Sequence, residues 1–285
     1  MLTFVEAISL AGDRKKQNDD AYGFGTHDAW VIDGATDLHD TPLTGAASDA
    51  SWIAQRANAI LHAMLAQSQA EDGIDLRKTL SEAIGEELAP DFDVVSAGRS
   101  FERWRSPIAS LLLVPEQTFG VNGVDLGDCR VFALGADGET HVAGGPGDAG
   151  DDESKLAAQQ TDADKPLLER QNTIAMLRAN RAAMNQPGGT HWTFGVDPEC
   201  ANHARTWSLQ MTRPAHILLM TDGFSALADR YAAYDAGGLV QAALDKGLQE
   251  LGRELRVIEA ADANGSKHPR FKASDDATAL LLRLT

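Results

Sequence analysis

Two apolar runs in this chain end in the same way. Trp30-Val31-Ile32 leads into Asp33-Gly34, and Ile217-Leu218-Leu219-Met220-Thr221 leads into Asp222-Gly223. An Asp at the end of a buried strand stands at the rim of the core on rigid backbone. The following Gly lets the chain turn and lets a ligand reach the carbonyl. Asp-Gly is also a plain turn signal, and Asp137-Gly138 is read that way. Two acidic pairs accompany the first two sites. Asn18-Asp19-Asp20 precedes one apolar run and Ser274-Asp275-Asp276 precedes the last one. Adjacent carboxylates repel unless they are solvated or a cation compensates them. Hard oxygen donors of this kind suit Mg²⁺ or Mn²⁺. No His/Cys cluster with zinc spacing accompanies them.

The elements that would hold these residues follow from hydrophobic periodicity. Strands are expected at Thr3–Leu10, Ala21–Gly25, Ala29–Asp33, Ile108–Val114, Thr118–Leu126, Arg130–Leu134, His216–Thr221 and Ala277–Leu284. Asp137-Gly138 marks a hairpin after the sixth. Helical spacing covers Ser48–Gln69, Leu76–Leu88 and Leu239–Ala260, and also Ser154–Met184, where Pro166 interrupts it. Grouped strands and grouped helices predict an α+β fold with antiparallel pairing, two sheets inside and helix pairs outside. Residues 144–165 are acidic, rich in Gly at their start and poor in large apolar residues. They read as an exposed loop or flap inserted into a single domain spanning 1–285.

The 285 residues carry 42 Asp and Glu against 25 Lys and Arg, a formal net charge of −17. Such a surface repels phosphate backbones and anionic lipid, so neither a nucleic acid nor a membrane is the expected partner. Cys129 and Cys200 form no metal or disulfide pattern and read as reduced thiols. No apolar run is long enough to span a bilayer, and the first residues lack a signal-peptide pattern. The expectation is a cytoplasmic monomer.

In this order the acidic sites resemble the metal-dependent protein phosphatases of type 2C. The family's Asn-Glu-Asp-Ala motif stands here as Asn18-Asp19-Asp20-Ala21, and its strand ending in Asp-Gly as Val31-Ile32-Asp33-Gly34. Gly127-Asp128-Cys129-Arg130 is similar to Gly-Asp-Ser-Arg, and Leu218-Leu219-Met220-Thr221-Asp222-Gly223 to the late Asp-Gly motif. Asp275-Asp276-Ala277-Thr278 is similar to the terminal Asp-Asn-x-Thr/Ser.

The resemblance implies a four-layer α-β-β-α sandwich. It implies that Asp20, Asp33, Asp222 and Asp275 bind two Mg²⁺ or Mn²⁺ ions, with Asp33 bridging and the Gly34 carbonyl adding a ligand. Asp19 would act through metal-bound water, and Asp128 with Asp222 would hold a third, weaker ion. The implied activity is direct attack of a metal-bridging hydroxide on phosphoserine or phosphothreonine in proteins. The alternatives are a catalytically weak or inactive binding module on this fold and a phosphatase for a small phosphorylated molecule.

The chain also departs from the family. Lys15, with Arg14 beside it, stands where the family's phosphate-binding Arg is expected. The family's general-acid His is absent after Asp33-Gly34; His39 is one substitute and water another, and His39 is read first as a surface residue. Ser106–Ser110 is read as a packing variant of a family motif, and Asp276 in place of Asn as an added attraction for cations. Arg99, Arg103 and Arg105 are read as salt-bridged surface.

Overall fold

The computed structural model describes residues 1–66, 75–145, 149–160, 165–189 and 191–285. Its strands are β1 (Leu2–Leu10), β2 (Asp20–Phe24), β3 (Asp28–Gly34), β4 (Ile108–Gln117), β5 (Gly120–Leu126), β6 (Arg130–Leu134), β7 (Thr140–Ala143), β8 (Phe194–Gly195), β9 (Arg205–Gln210), β10 (Ala215–Met220) and β11 (Ala277–Leu284). One sheet has the order β1-β11-β10-β6-β7 and the other β2-β3-β4-β5-β9, with β8 beside β4. Every described pairing is antiparallel.

The strands read as unbroken apolar runs because both faces of each sheet are covered. In β3, Ala29 and Val31 join the layer between the sheets, while Trp30 and Ile32 face the helices outside. In β11, Leu280 and Leu282 face inward and Ala279 and Leu281 outward. This period-two division is what a pleated strand imposes.

The helices are α1 (Asp49–Leu65), α2 (Leu76–Ala83), α3 (Ala89–Val95), α4 (Ala149–Ala157), α5 (Gln171–Ala182), α6 (Glu199–Asn202), α7 (Asp222–Asp229), α8 (Ala236–Lys246) and α9 (Leu248–Ala261). Ile53, Ala57, Ile60 and Leu61 of α1 and Leu80 of α2 cover the outer face of the β2–β9 sheet. Leu239, Ala243, Leu251 and Leu255 of α8 and α9 cover the other sheet. The α+β four-layer sandwich is therefore the observed architecture.

Three expectations change. The single helix over Leu239–Ala260 is two helices, broken where Gly247 takes φ of +81°. Residues 76–95 form α2, a π-helical turn at Ile84–Leu88 and α3 in succession. The expected loop at 144–165 contains α4, while residues 146–148 and 161–164 lie outside those described. The end of the expected helix at 67–69 also falls outside them.

Candidate functional site

Register brings the first two acidic motifs together. In the β2–β3 ladder Asp20 stands directly opposite Asp33, and in the β3–β4 ladder Asp33 stands opposite Ser110. Opposed residues of an antiparallel pair share a face, so two carboxylates placed this way repel. Asp222 begins α7 immediately after β10, and Asp275 lies just before β11, the neighbour of β10. Asp128 precedes β6 on the other side of β10. Five chain segments thus deliver carboxylates to one end of the sandwich.

Hydroxyl groups fix these carboxylates. Thr221 Oγ1 donates to Asp20 Oδ2 at 2.9 Å and accepts the Thr278 N–H at 2.9 Å, joining β2 to the other sheet. Ser110 Oγ donates to Asp128 Oδ1 at 2.6 Å. Ser48, the N-cap of α1, donates to Asp19 Oδ1 at 2.5 Å. The sequence pattern marks none of the three hydroxyls as a site residue, and Ser110 does more than the packing expected of it. Asp276 also differs from expectation. Its Oδ1 accepts the Gly12 N–H at 2.7 Å and its Oδ2 the Asp19 N–H at 2.6 Å, so it ties the first and last motifs together.

The electrostatics are those of crowded acids that are buried, as Asp20 is, or partly buried. Burial, then repulsion from Asp20, Asp222, Asp128 and Asp275, pushes the Asp33 carboxyl well above the usual range. Asp222 is raised in the same way by burial and by Asp128, Asp275 and Glu153. Burial pushes Asp20 up to about 7 and Asp19 up to about 6, against the hydrogen bonds they accept. Asp275 behaves oppositely: burial disfavours its charge, but Lys272, with Nζ 2.5 Å from Oδ1, outweighs that and holds it low. Asp20 Oδ1 is buried without a hydrogen-bond partner among the described residues. An orphaned carboxylate oxygen amid like charges and hard oxygen donors fits a divalent cation.

Cys129 lies fully buried beside this cluster, and burial with the surrounding carboxylates raises its thiol far above its ordinary value. It is a packed thiol, not a nucleophile. Cys200 is also buried and free.

The basic pair and His39 lie on the segments that flank the first two motifs. Arg14 and Lys15 are exposed. Arg14 lines a cleft of about 440 Å³ between β1 and α9, with Arg256, Glu259 and Ser274. His39 is not a surface residue. Its side chain is 7% exposed, its Nε2 is 3.4 Å from Asp49 Oδ2, and its ring packs near Trp104. Asp37, His39 and Asp49 lie close enough to one another to share an ion. The carboxylates, however, are already engaged: Asp37 accepts the N–H groups of Asp49 and Ala50, and Asp49 those of Leu43 and Thr44.

The arginines expected as salt-bridged surface bind backbone instead. Arg99 donates to Leu43 O, Arg105 to Thr41 O and Arg103 to Asn185 O. Arg178 and Arg181 of α5 donate to Leu38 O and Thr36 O. The segment after Asp33-Gly34 is thus clamped along its carbonyls.

The fold and this cluster define a layered α-β-β-α protein with buried and partly buried acidic residues gathered at one end of both sheets. The chain belongs to the protein phosphatase 2C family, whose model matches residues 12–256. Its fold is similar to that of the Mycobacterium tuberculosis serine/threonine phosphatase PstP/Ppp, with 18% identity, a TM-score of 0.52 and coverage of 99% of this chain and 98% of that one. The catalytic domain of PstP in complex with two manganese ions gives 18% identity and a TM-score of 0.54 over 99% and 97%. The phosphatase MsPP from Mycobacterium smegmatis, in complex with cacodylate, gives 20% and 0.54 over 99% and 100%. No protein of curated function matches the chain. Among the described residues no helix is long and apolar enough to cross a membrane.

Proposed function

We propose that this chain is a Mg²⁺- or Mn²⁺-dependent phosphatase that hydrolyses phosphoserine or phosphothreonine in proteins. Asp20, Asp33, the Gly34 carbonyl, Asp222 and Asp275 would hold two ions, with Asp33 between them. Asp19 would contribute through water, and Asp128 with Asp222 would hold a third ion. The observation that carries this reading is the placement of Asp20 opposite Asp33, with Asp222 raised alongside them by burial and by neighbouring carboxylates. A fold that gathers acids in register and buries them is unfavourable without a compensating charge. Membership of the phosphatase 2C family supports the same reading.

When bound, the cations supply neutralisation of the phosphoryl oxygens and activation of a water for in-line attack. The chain's own part is positional. Thr221, Ser110 and Ser48 fix the rotamers of Asp20, Asp128 and Asp19 by donating to them. Asp276 sets the distance between the first and last motifs through two backbone N–H groups. Arginine bonds to the carbonyls of Thr36, Leu38, Thr41 and Leu43 hold the segment that follows Gly34 in the chain. Preorganised supports of this kind keep ligand geometry within the narrow tolerance that catalysis requires.

The test is hydrolysis of a generic phosphopeptide with and without Mn²⁺, beside Asp222→Asn. Metal-dependent turnover that the substitution removes is the expected result. Turnover that survives chelation overturns the mechanism. Specific Mn²⁺ binding without turnover on phosphopeptides or phosphorylated metabolites points to a binding module. Turnover confined to phosphorylated metabolites reassigns the substrate.

A further inference from the structure

A phosphoryl group brings between one and two negative charges into a centre already built of carboxylates. Bound cations offset part of that repulsion, and phosphate sites commonly add a protein cation. Of the basic pair nearest the first motif, Arg14 lines the cleft between β1 and α9 with Gly12 and Ser274, and none of Asp20, Asp33, Asp128, Asp222 and Asp275 lines it. Arg230 is close to the cluster, but its side chain is only 13% exposed and its guanidinium is bound to Glu153 at 2.5 Å.

Lys272 is different. Its Nζ lies 2.5 Å from Asp275 Oδ1, yet about a third of its side chain is open to solvent, at 34%. The ammonium therefore stands on the Asp275 carboxylate with part of its side chain open to solvent. Asp275 Oδ1 also accepts the Asp276 N–H at 3.0 Å, so the lysine and the backbone share one oxygen and leave Oδ2 for a cation. Two of the three ammonium donors have no partner among the described residues.

The backbone that carries Lys272 is anchored on both sides. Arg270 is buried, donates to Ala273 O and pairs with Asp262 at 3.0 Å. Ser274 Oγ donates to Glu259 Oε2 at 2.8 Å. Phe271 is buried as well. A flexible lysine stem thus rises from a fixed root, so its head covers a limited volume.

We propose that Lys272 is a substrate-binding residue whose ammonium receives a phosphoryl oxygen beside the cation centre, taking the place that Lys15 and Arg14 hold in the sequence pattern. This rests on the reading of the site as a phosphatase centre. A compact ammonium serves a single phosphate oxygen as a point charge, and its hydrogen bond to Asp275 orients it without consuming it.

The experiment uses the full chain loaded with Mn²⁺. Calorimetry measures Mn²⁺ affinity and then the affinity for inorganic phosphate, and phosphopeptide kinetics separate KM from kcat. The proteins are the wild type, Lys272→Met, Lys272→Arg and the double variant Arg14→Met with Lys15→Met, each checked for an unchanged unfolding midpoint. Lys272→Met should weaken phosphate binding and raise KM by about tenfold or more, the loss of one charge-assisted hydrogen bond. Its Mn²⁺ affinity should stay within about threefold, and Lys272→Arg should restore part of the loss. The double variant should bind phosphate as the wild type does. A Lys272→Met protein with altered Mn²⁺ affinity but normal phosphate binding makes Lys272 a counter-ion of Asp275 only, and overturns the proposal. So does loss of phosphate binding in the double variant alone, or a wild type that binds no phosphate when loaded. A wild type that binds phosphate through Lys272 but turns over neither phosphopeptide nor phosphorylated metabolites removes the phosphatase reading and leaves the phosphate contact of Lys272 standing.

Discussion

Asp33 has a function and a stability cost at the same atom. It faces Asp20 across a ladder and is surrounded by three further carboxylates. Asp33→Asn should therefore lower Mn²⁺-dependent turnover by about two to three orders of magnitude, as loss of a transition-state charge partner does. In chelator the same substitution should raise the thermal unfolding midpoint, because it removes one of two directly opposed acids, one of them buried. Calorimetric scans with and without Mn²⁺ read both effects, and a destabilised apo variant contradicts the account. Asp262 shows the reverse sign. Burial opposes its charge, but N–H groups of Lys267 and His268, with Arg270 and Ser266, hold its carboxyl below the usual range. A depressed folded value contributes stability above the unfolded value near 3.8, and that stability is lost as pH falls through the folded one. Acid unfolding of Asp262→Asn should accordingly be shallower below about pH 4, from a lower midpoint at pH 7, because Arg270 loses its partner. An unchanged acid slope would show that this network does not titrate on unfolding.

At the scale of the element, Gly223 sits where α7 starts and the last motif passes. A Cβ there would lie 1.9 Å from the Asp276 carbonyl oxygen, so backbone must move. Gly223→Ala should push Asp222 and Asp275 apart and weaken Mn²⁺ binding at least tenfold, about 1.4 kcal/mol, while far-ultraviolet dichroism stays native. Unaltered Mn²⁺ affinity would show that α7 can shift without disturbing the cluster. This close approach also explains what could be read in advance. Strands β6 and β11 match their expected bounds, because unbroken apolar runs between turn signals are unambiguous in length. Helix α7 was not legible: Asp222-Gly223 ends a strand and opens a helix at once, and only the former has a clear signal. The edge strand β9 is exposed at four of six positions, so its pattern offered only Trp207 and Leu209. The acidic members of the site were legible as motifs. Ser48, Ser110, Thr221 and Lys272 were not, because ordinary residue types acquire meaning there only through contacts that register creates between distant segments.

For the whole molecule the net charge of −17 has two parts with different physics. Most acidic residues are on the surface, where salt at about 0.15 M already screens them beyond about 8 Å. The cluster at the sandwich end is recessed: Asp20 is only 3% exposed and its neighbours are partly buried. Salt reaches it poorly, so monovalent ions cannot replace a bound divalent one. This distinction yields a measurement. Mn²⁺ at about a hundred times its dissociation constant should stabilise the fold by roughly 2.7 kcal/mol per site, a rise of several degrees in the unfolding midpoint for a chain of this size. If that gain came from general neutralisation of the surface, about 1 M NaCl would reproduce it and abolish any further effect of Mn²⁺. If it comes from the opposed pair Asp20 and Asp33, the gain should persist in 1 M NaCl and vanish in Asp33→Asn at every salt concentration. A thermal-shift series crossing Mn²⁺, NaCl and the variant separates the two. Persistence in the wild type together with loss in the variant assigns the stabilising charge to the interior of the sandwich, where the ladder register and not the overall acidity determines which cations the molecule holds.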